Sequence, residues 1–350
     1  MDTEKILFIT DTHQHPFTEF SKPLDNFIND RFKEQLDVLQ KSFDLARKNN
    51  ATLVHGGDLF HKRGAVGTEV FNLVFNVFKN NPDVPTILMR GNHDSVTNSL
   101  YSESSIVPFG ALPNVTTIEV PTAFTYGEEV NIYFLPYGDE KAEMINFIND
   151  IKPSENKKSI LFGHIGVNGA VSGTSSFKLG GEFTLDELRP DVFEYILLGH
   201  YHKKQILGGD PKHLYGGALM QQSFSDEGYT PGAHLIDIKK NTLTFIPIES
   251  RMFHTIKGTN IPENIEEIIA KDFVRFVGTP EEAGAMDKLV KEDSLTNVRV
   301  MVEKSYNTQI RLTNIDSSSS PLEITESYVD TFYPDSKKEA LECIKEAMLT

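Results

Sequence analysis

Gly91-Asn92-His93-Asp94 puts an amide, an imidazole and a carboxylate side by side, directly after the apolar run Thr86-Ile87-Leu88-Met89. The same arrangement recurs four times. Lys5-Ile6-Leu7-Phe8-Ile9 leads to Asp11-Thr12-His13, and Thr52-Leu53-Val54-His55 leads to Gly56-Gly57-Asp58. Ser159-Ile160-Leu161-Phe162 leads to Gly163-His164, and Tyr195-Ile196-Leu197-Leu198 leads to Gly199-His200-Tyr201-His202. The collected donors are Asp11, His13, Asp58, Asn92, His164, His200 and His202. Seven nitrogen and oxygen donors without a thiolate suit first-row divalent cations such as manganese, iron or zinc. Seven is too many for one site and fits two that share a bridging carboxylate. Cations ~3.5–4 Å apart can activate a water and stabilise both the attacking and the leaving oxygen of a phosphoryl displacement.

Each cluster alone has an ordinary explanation. Asp-x-His or Gly-Asp after a strand is common turn chemistry, and a lone Gly-His is more often structural than ligating. Their joint occurrence, each after its own strand, decides for a metal site. Six of the 11 histidines fall in these clusters when His61 and His93 are included. His15 is close enough to His13 to compete as a ligand, with a rim position as the alternative, and His55 reads as a core or sheet-face residue. Lys62, Arg63, Arg90, Lys203 and Lys204 flank the clusters, either as ordinary solvated charge or as a group holding backbone phosphates.

Parallel sheets place their sites beyond the carboxyl ends of their strands, so these loops can share one rim if the runs are neighbouring strands. The pattern between them agrees. Residues 30–48 carry Phe32, Leu36, Leu39, Phe43 and Ala46 at spacings of three and four, an amphipathic helix, and Thr68–Lys79 repeats the pattern. Strand, helix, strand, helix, strand indicates βαβ units. Shorter strands are expected at 115–120 and 131–135, a helix at 139–151, and strands at 214–215, 234–238 and 243–248. The glycine-rich stretch 165–181 is expected to form a long loop over the site. The expected fold class is α/β: a two-sheet β-sandwich flanked by helices, with a small α+β cap and C-terminal helices. The domains are then 1–252, catalytic; 253–312, a small α/β unit built on a strand at 273–277, a helix at 280–292 and a strand at 297–303; and 313–350, a serine-rich linker followed by two helices. The first helix shows Leu322, Val329 and Phe332 on one face, and the second Leu341, Ile344 and Met348. Thirty residues cannot bury two such faces alone, so they dock on the body or on a partner.

The 350-residue chain is long enough for a large core. No apolar run approaches the ~20 residues of a membrane span, no tripartite signal opens the chain, and the single Cys343 fits a reducing cytoplasm. The expected location is cytoplasmic, in a host cytoplasm if phage-encoded. A net charge of −16 argues against a broad electropositive groove, although bound metals and a few local cations can still meet phosphates.

The five motifs closely resemble those of the calcineurin-like metallophosphoesterase superfamily. The resemblance implies one metal on Asp11, His13, Asp58 and His202 and a second on Asn92, His164, His200 and the shared Asp58. It makes His93 a non-ligand that lies over the scissile phosphate, stabilising the pentacoordinate phosphorus or protonating the leaving oxygen. Gly57-Asp58-Leu59-Phe60-His61 narrows the match. Protein phosphatases of the superfamily tend to have aspartate where this chain has His61. The nuclease subunits of double-strand-break repair complexes, the SbcD family and its phage recombination-endonuclease relatives, have histidine there, implicated in exonuclease chemistry. Leu214-Tyr215-Gly216-Gly217-Ala218-Leu219-Met220-Gln221-Gln222-Ser223-Phe224 resembles that family's segment after its last motif. The implied function is a two-metal DNA exonuclease, with endonuclease activity also in view, acting on duplex ends or single strands in repair or recombination. The implied metal is manganese, with magnesium, iron or zinc as alternatives. The implied partners are an SMC-like ATPase of the SbcC type and a second copy, as a homodimer within a heterotetramer. The alternative is a metallophosphodiesterase or phosphatase acting on small nucleotides or phosphoproteins. A scaffold without catalysis is a third reading, disfavoured because every ligand position is filled.

Overall fold

In the computed structural model, residues 4–24, 29–127, 129–154, 156–171, 183–258, 260–303 and 319–347 are described. The N-terminal half alternates: β1 (Lys5–Ile9), α1 (Asp30–Asn49), β2 (Thr52–His55), α2 (Thr68–Lys79), β3 (Thr86–Met89) and β4 (Val115–Ile118). A second series follows, with β5 (Thr122–Tyr126), β6 (Val130–Leu135), α3 (Lys141–Asp150), β7 (Lys158–His164), β8 (Tyr195–Gly199), β9 (Gln205–Leu207) and β10 (Asp210–Tyr215). The chain then returns to the first sheet with β11 (Gly232–Asp237) and β12 (Thr242–Pro247).

Two six-stranded sheets result, in the orders β12-β11-β1-β2-β3-β4 and β5-β6-β7-β8-β10-β9. Strands β1 to β4 are mutually parallel, as are β6, β7, β8 and β10. Alternation along each strand sorts the core into layers. Ile6 and Phe8 of β1, Val54 of β2, and Ile87 and Met89 of β3 meet Ile132, Phe134, Ile160, Phe162 and Leu197 between the sheets. Phe162 stacks on Phe8 across that seam and on Phe134 beside it, both with ring centroids 5.3 Å apart. The opposite side chains, Leu7, Ile9, Leu53 and Leu88, pack under α1 and α2, while Leu161, Ile196 and Leu198 pack with Met144 and Ile148 of α3. The strands are covered on both faces, which explains why the sequence shows continuous apolar runs there. The two-sheet sandwich with outer helices is the fold class expected from the sequence.

Local chemistry sets the helix ends. The Asn29 side chain accepts from the Phe32 amide at 2.8 Å, and Asn50 closes α1 in the left-handed region at φ 49°. Beyond the sandwich, β13 (Phe253–Lys257), α4 (Ile265–Lys271), β14 (Phe273–Gly278), α5 (Pro280–Glu292) and β15 (Val298–Val302) form a parallel three-stranded sheet with two helices. Here β14, α5 and β15 are the expected elements, whereas β13 and α4 were not foreseen. Arg251 leads into this sheet, donating to Glu34 and Asp30 of α1 at 2.6 and 2.8 Å.

Residues 1–302 are one compact unit and 303–350 a second. In the second, α6 (Pro321–Phe332) and α7 (Lys337–Ala347) form a helical pair. Lys337 reaches back to Glu326 and Asp330, both at 2.9 Å. Val329 is buried, whereas Tyr328, Phe332 and Tyr333 are exposed. Most of the expected serine-rich linker, residues 172–181 of the expected 165–181 loop, and Met348 lie outside the described residues.

Phe162→Ala removes a ring wedged between the sheets. We expect a loss of about 3–5 kcal/mol of stability, measured by urea unfolding.

Candidate metal centre

Loops at the carboxyl ends of β1, β2, β3, β7 and β8 converge on one rim. Backbone hydrogen bonds lace the first two loops together: Asp11 N–H to Gly57 O and His13 N–H to Asp58 O, both 3.0 Å. The turns are tight enough to push four polar residues into the left-handed region: Asp11 at φ 53°, His13 at 44°, Asp58 at 57° and His200 at 95°. Non-glycine residues adopt this conformation only where surrounding contacts over-determine it. Gly91 is needed for close approach, since a Cβ there would run into the Asp58 carboxylate.

All seven donor residues meet. On one side the Nε2 atoms of His13 and His202 face each other at 3.0 Å, with Asp11 Oδ1 4.0 Å from His13 Nε2. On the other, Asn92 Oδ1 lies 3.1 Å from His164 Nε2 and 3.0 Å from His200 Nδ1. Asp58 Oδ2 stands between them, 3.7 Å from His13 Nε2 and 3.4 Å from His164 Nε2. Asp58, Asp11, His13 and His164 are almost wholly buried.

The surrounding groups fix the donors' orientation. His164 Nδ1–H donates to Gly56 O at 2.8 Å, which leaves Nε2 for the centre. Asp58 Oδ1 accepts from the His93 amide at 2.8 Å, and both Asp11 oxygens accept from the His200 amide. Asp94 clamps the third loop to the second: its carboxylate accepts from Gly91 N–H and Phe60 N–H at 3.0 Å and from Leu59 N–H at 3.3 Å. Burial, then the nearby Asp58 charge, pushes the Asp94 carboxyl up to about 7. Burial holds the His13 imidazole well below its ordinary range and His200 down to about 4, so both present lone pairs at neutral pH. His164 and His202 behave oppositely. Burial, the largest single influence, works downward on each, but Asp58, Asp11 and the Gly56 carbonyl together outweigh it at His164, and Asp226, Asp11 and Asp58 together at His202, raising both to about 9. Protons there supply the positive charge that the buried carboxylates demand, a demand a cation meets equally well. The oxygen and imidazole donors, converging within 4.8 Å of one another in the groups Asp11, His13, His202 and Asp11, Asp58, His164, fit a divalent cation.

His93 and His61 lie beside the His13 group. Their rings stack at 5.5 Å with planes 17° apart, and His93 Nδ1–H donates to His61 O at 2.5 Å. His15 sits next to His61, ring centroids 5.3 Å apart, at the rim. Of the basic residues expected at the mouth, Arg90 is not there. It is fully buried, donating to the carbonyls of Leu100, Ser102 and Tyr137, because an arginine directly after a buried strand can turn inward to cap loop carbonyls. Arg63 Nε donates to Asn92 O at 2.9 Å and holds the loop rather than standing free, and Lys204 lies over the Phe245 ring. Lys62 is exposed.

Sequence reasoning missed Asp226. Its Oδ1 accepts from His202 Nδ1 at 3.2 Å and its Oδ2 from the Gln222 and Ser223 amides at 2.8 and 3.2 Å. The next residue, Glu227, accepts from Thr255 N–H and Oγ1–H of β13, both at 2.5 Å. No spacing rule connects Asp226 to His202; the one signal is its place just after Gln222-Ser223-Phe224.

The family model described as calcineurin-like phosphoesterase matches residues 4–204. The chain is similar to the D subunit of nuclease SbcCD from Staphylococcus epidermidis, 24% identical over 263 residues, covering 66% of each chain. It is equally similar to the protein of that name in Staphylococcus saprophyticus, 24% identical over 271 residues, covering 70% of this chain and 67% of the other. The chain thus spans about two thirds of the length of these relatives. Among solved structures, TT1561 of Thermus thermophilus aligns with a TM-score of 0.41 at 13% identity, over 69% of this chain and 98% of that one.

Asp226→Asn keeps the shape and removes the charge that orients His202. Metal affinity should fall ~10–100-fold, read by titration calorimetry with Mn²⁺, with little change in thermal stability.

Proposed function

This chain belongs to the calcineurin-like phosphoesterase family, metal-dependent hydrolases, and we propose that within it the chain is a two-metal DNA nuclease. The reading is carried by Asp58 Oδ2, which faces His13 on one side and His164 on the other. Asp11, His13, Asp58 and His202 would hold one cation, and Asn92, His164, His200 and the same Asp58 the second. Manganese is the first choice, with magnesium, iron or zinc as alternatives. When bound, such cations supply Lewis-acid charge to phosphoryl oxygens and acidify water.

The chain's own residues do the rest. His93 Nδ1–H is committed to His61 O, so Nε2 is the free nitrogen, and with a second proton there the imidazolium would stabilise the reacting phosphoryl group or hand that proton to the leaving oxygen, returning to the neutral ring. His61 stacks beside it, as a second imidazole for the leaving strand. The histidine at position 61 and relatives named as nuclease subunits favour DNA over small phosphoesters.

In this reading residues 1–252 carry catalysis and 253–312 cap the site. Residues 313–350 dock on an SMC-like ATPase of the SbcC type, for which the exposed aromatic residues of α6 are suited. The assembly would be a homodimer within a heterotetramer in the cytoplasm, the host's if phage-encoded. Among the described residues no helix is long and apolar enough to cross a membrane.

With Mn²⁺ the purified chain, alone or with its ATPase, should degrade linear duplex DNA. His93→Ala should lower turnover ~10²–10⁴-fold with metal content intact, whereas Asp58→Ala should lose metal by elemental analysis. Loss of metal in His93→Ala would make His93 a ligand instead. Turnover of bis-p-nitrophenyl phosphate or a cyclic nucleotide with DNA left intact would point to a small-molecule phosphodiesterase.

A further inference from the structure

Next to the His61–His93 pair the surface drops into two adjoining cavities of about 260 and 580 Å³, with His15, Pro16 and Lys62 on the wall of both. Phe17, Arg31 and Gln222 line the larger one. We propose that this trough seats the nucleotide adjoining the scissile phosphate on a single DNA strand, its base against His15 and Phe17 and its outer phosphate on Lys62. The proposal rests on the nuclease reading and extends it to residues outside the metal centre.

Position is the first argument. The Phe17 ring lies 4.8 Å and the His15 ring 5.3 Å from His61, which itself stacks on His93 at 5.5 Å. An aromatic run therefore leads from the reacting centre directly into the trough.

Charge is the second. Among the described residues Lys62 is exposed and takes part in no hydrogen bond or ion pair, so its ammonium is available one residue from His61. Arg31 forms the floor, only 4% exposed, its guanidinium 4.5 Å from the Phe17 ring centroid. It donates to the carbonyls of Glu19 and Gln222, so it contributes positive potential and holds Phe17 while not being free to leave. Among the described residues the one acid on the wall, Glu19, is paired with Arg299 of β15. In a chain of net charge −16, a trough with an unpaired Lys62 ammonium, a fixed Arg31 and its acid paired with an arginine favours an anion.

Chemistry is the third. Aromatic rings beside a backbone cation bind single strands without regard to sequence, because every base offers a π face. The volumes are those of a nucleotide-sized ligand site.

The test uses the full chain with Mn²⁺ and labelled oligonucleotides in which one abasic site is stepped through the positions flanking the cut. In the wild type an abasic site at the adjoining position should lower kcat/KM about 10-fold. Phe17→Leu, which keeps the bulk and loses the ring, should lower kcat/KM on intact strands by a similar factor. It should also lose the abasic penalty at that one position, a coupling that misfolding does not produce. Lys62→Gln should reduce the salt dependence of oligonucleotide KM by about one phosphate contact. Equal abasic penalties in wild type and Phe17→Leu would overturn the subsite while leaving the nuclease reading standing. A wild type that hydrolyses bis-p-nitrophenyl phosphate but cuts no oligonucleotide would overturn the nuclease reading, and the subsite with it.

Discussion

A carboxylate taken out of water must find compensating charge or a dense shell of donors, and Asp58 draws its compensation from both sheets. Its Oδ1 is occupied by the His93 amide of the β3 loop, while Oδ2 looks toward His13 of the β1 loop and His164 at the end of β7. Burial alone would raise this carboxyl, yet His164 and His13 hold it well below the ordinary carboxylate range. Everything else at the rim is arranged around keeping that one group ionised and approachable from two directions.

The sandwich makes this possible. Neither sheet could bring its own loops around both sides of a single oxygen. The Phe8–Phe162 stack sets the distance between β1 and β7 just below the site, three residues before Asp11 and two before His164, so core packing and ligand geometry are one constraint. The loops are then tied from behind by groups that never enter the centre: Asp94 to the amides of residues 59, 60 and 91, Arg90 to three carbonyls, and Asp226 to His202.

Much of this was legible in the sequence because doubly buried parallel strands write themselves as uninterrupted apolar runs, and the polar residues that end them stand out. Where strands lie at an edge the signal fades. β5 alternates between half-buried and exposed until Tyr126, and β9 is three residues long with Ile206 exposed. The seven-residue α4 sets Ile265, Ile268 and Ile269 at helical spacing but buries none of them fully, and a period that short does not stand out from the sequence. Arg90 shows a different limit. Charge after a strand suggested a mouth, but the sequence does not carry the direction in which a side chain turns. Asp226 was invisible because its partner lies 24 residues away and the link exists only after folding.

The left-handed backbone at Asp11, His13, Asp58 and His200 has a bearing on how this protein would answer to selection. Each such residue costs of order 1–3 kcal/mol relative to a relaxed chain, and glycine would adopt the same dihedrals freely. Random screening for heat resistance should therefore keep returning to these codons, yielding sturdier proteins that no longer work. The hydrolytic rim is the part of the molecule most at odds with its own durability.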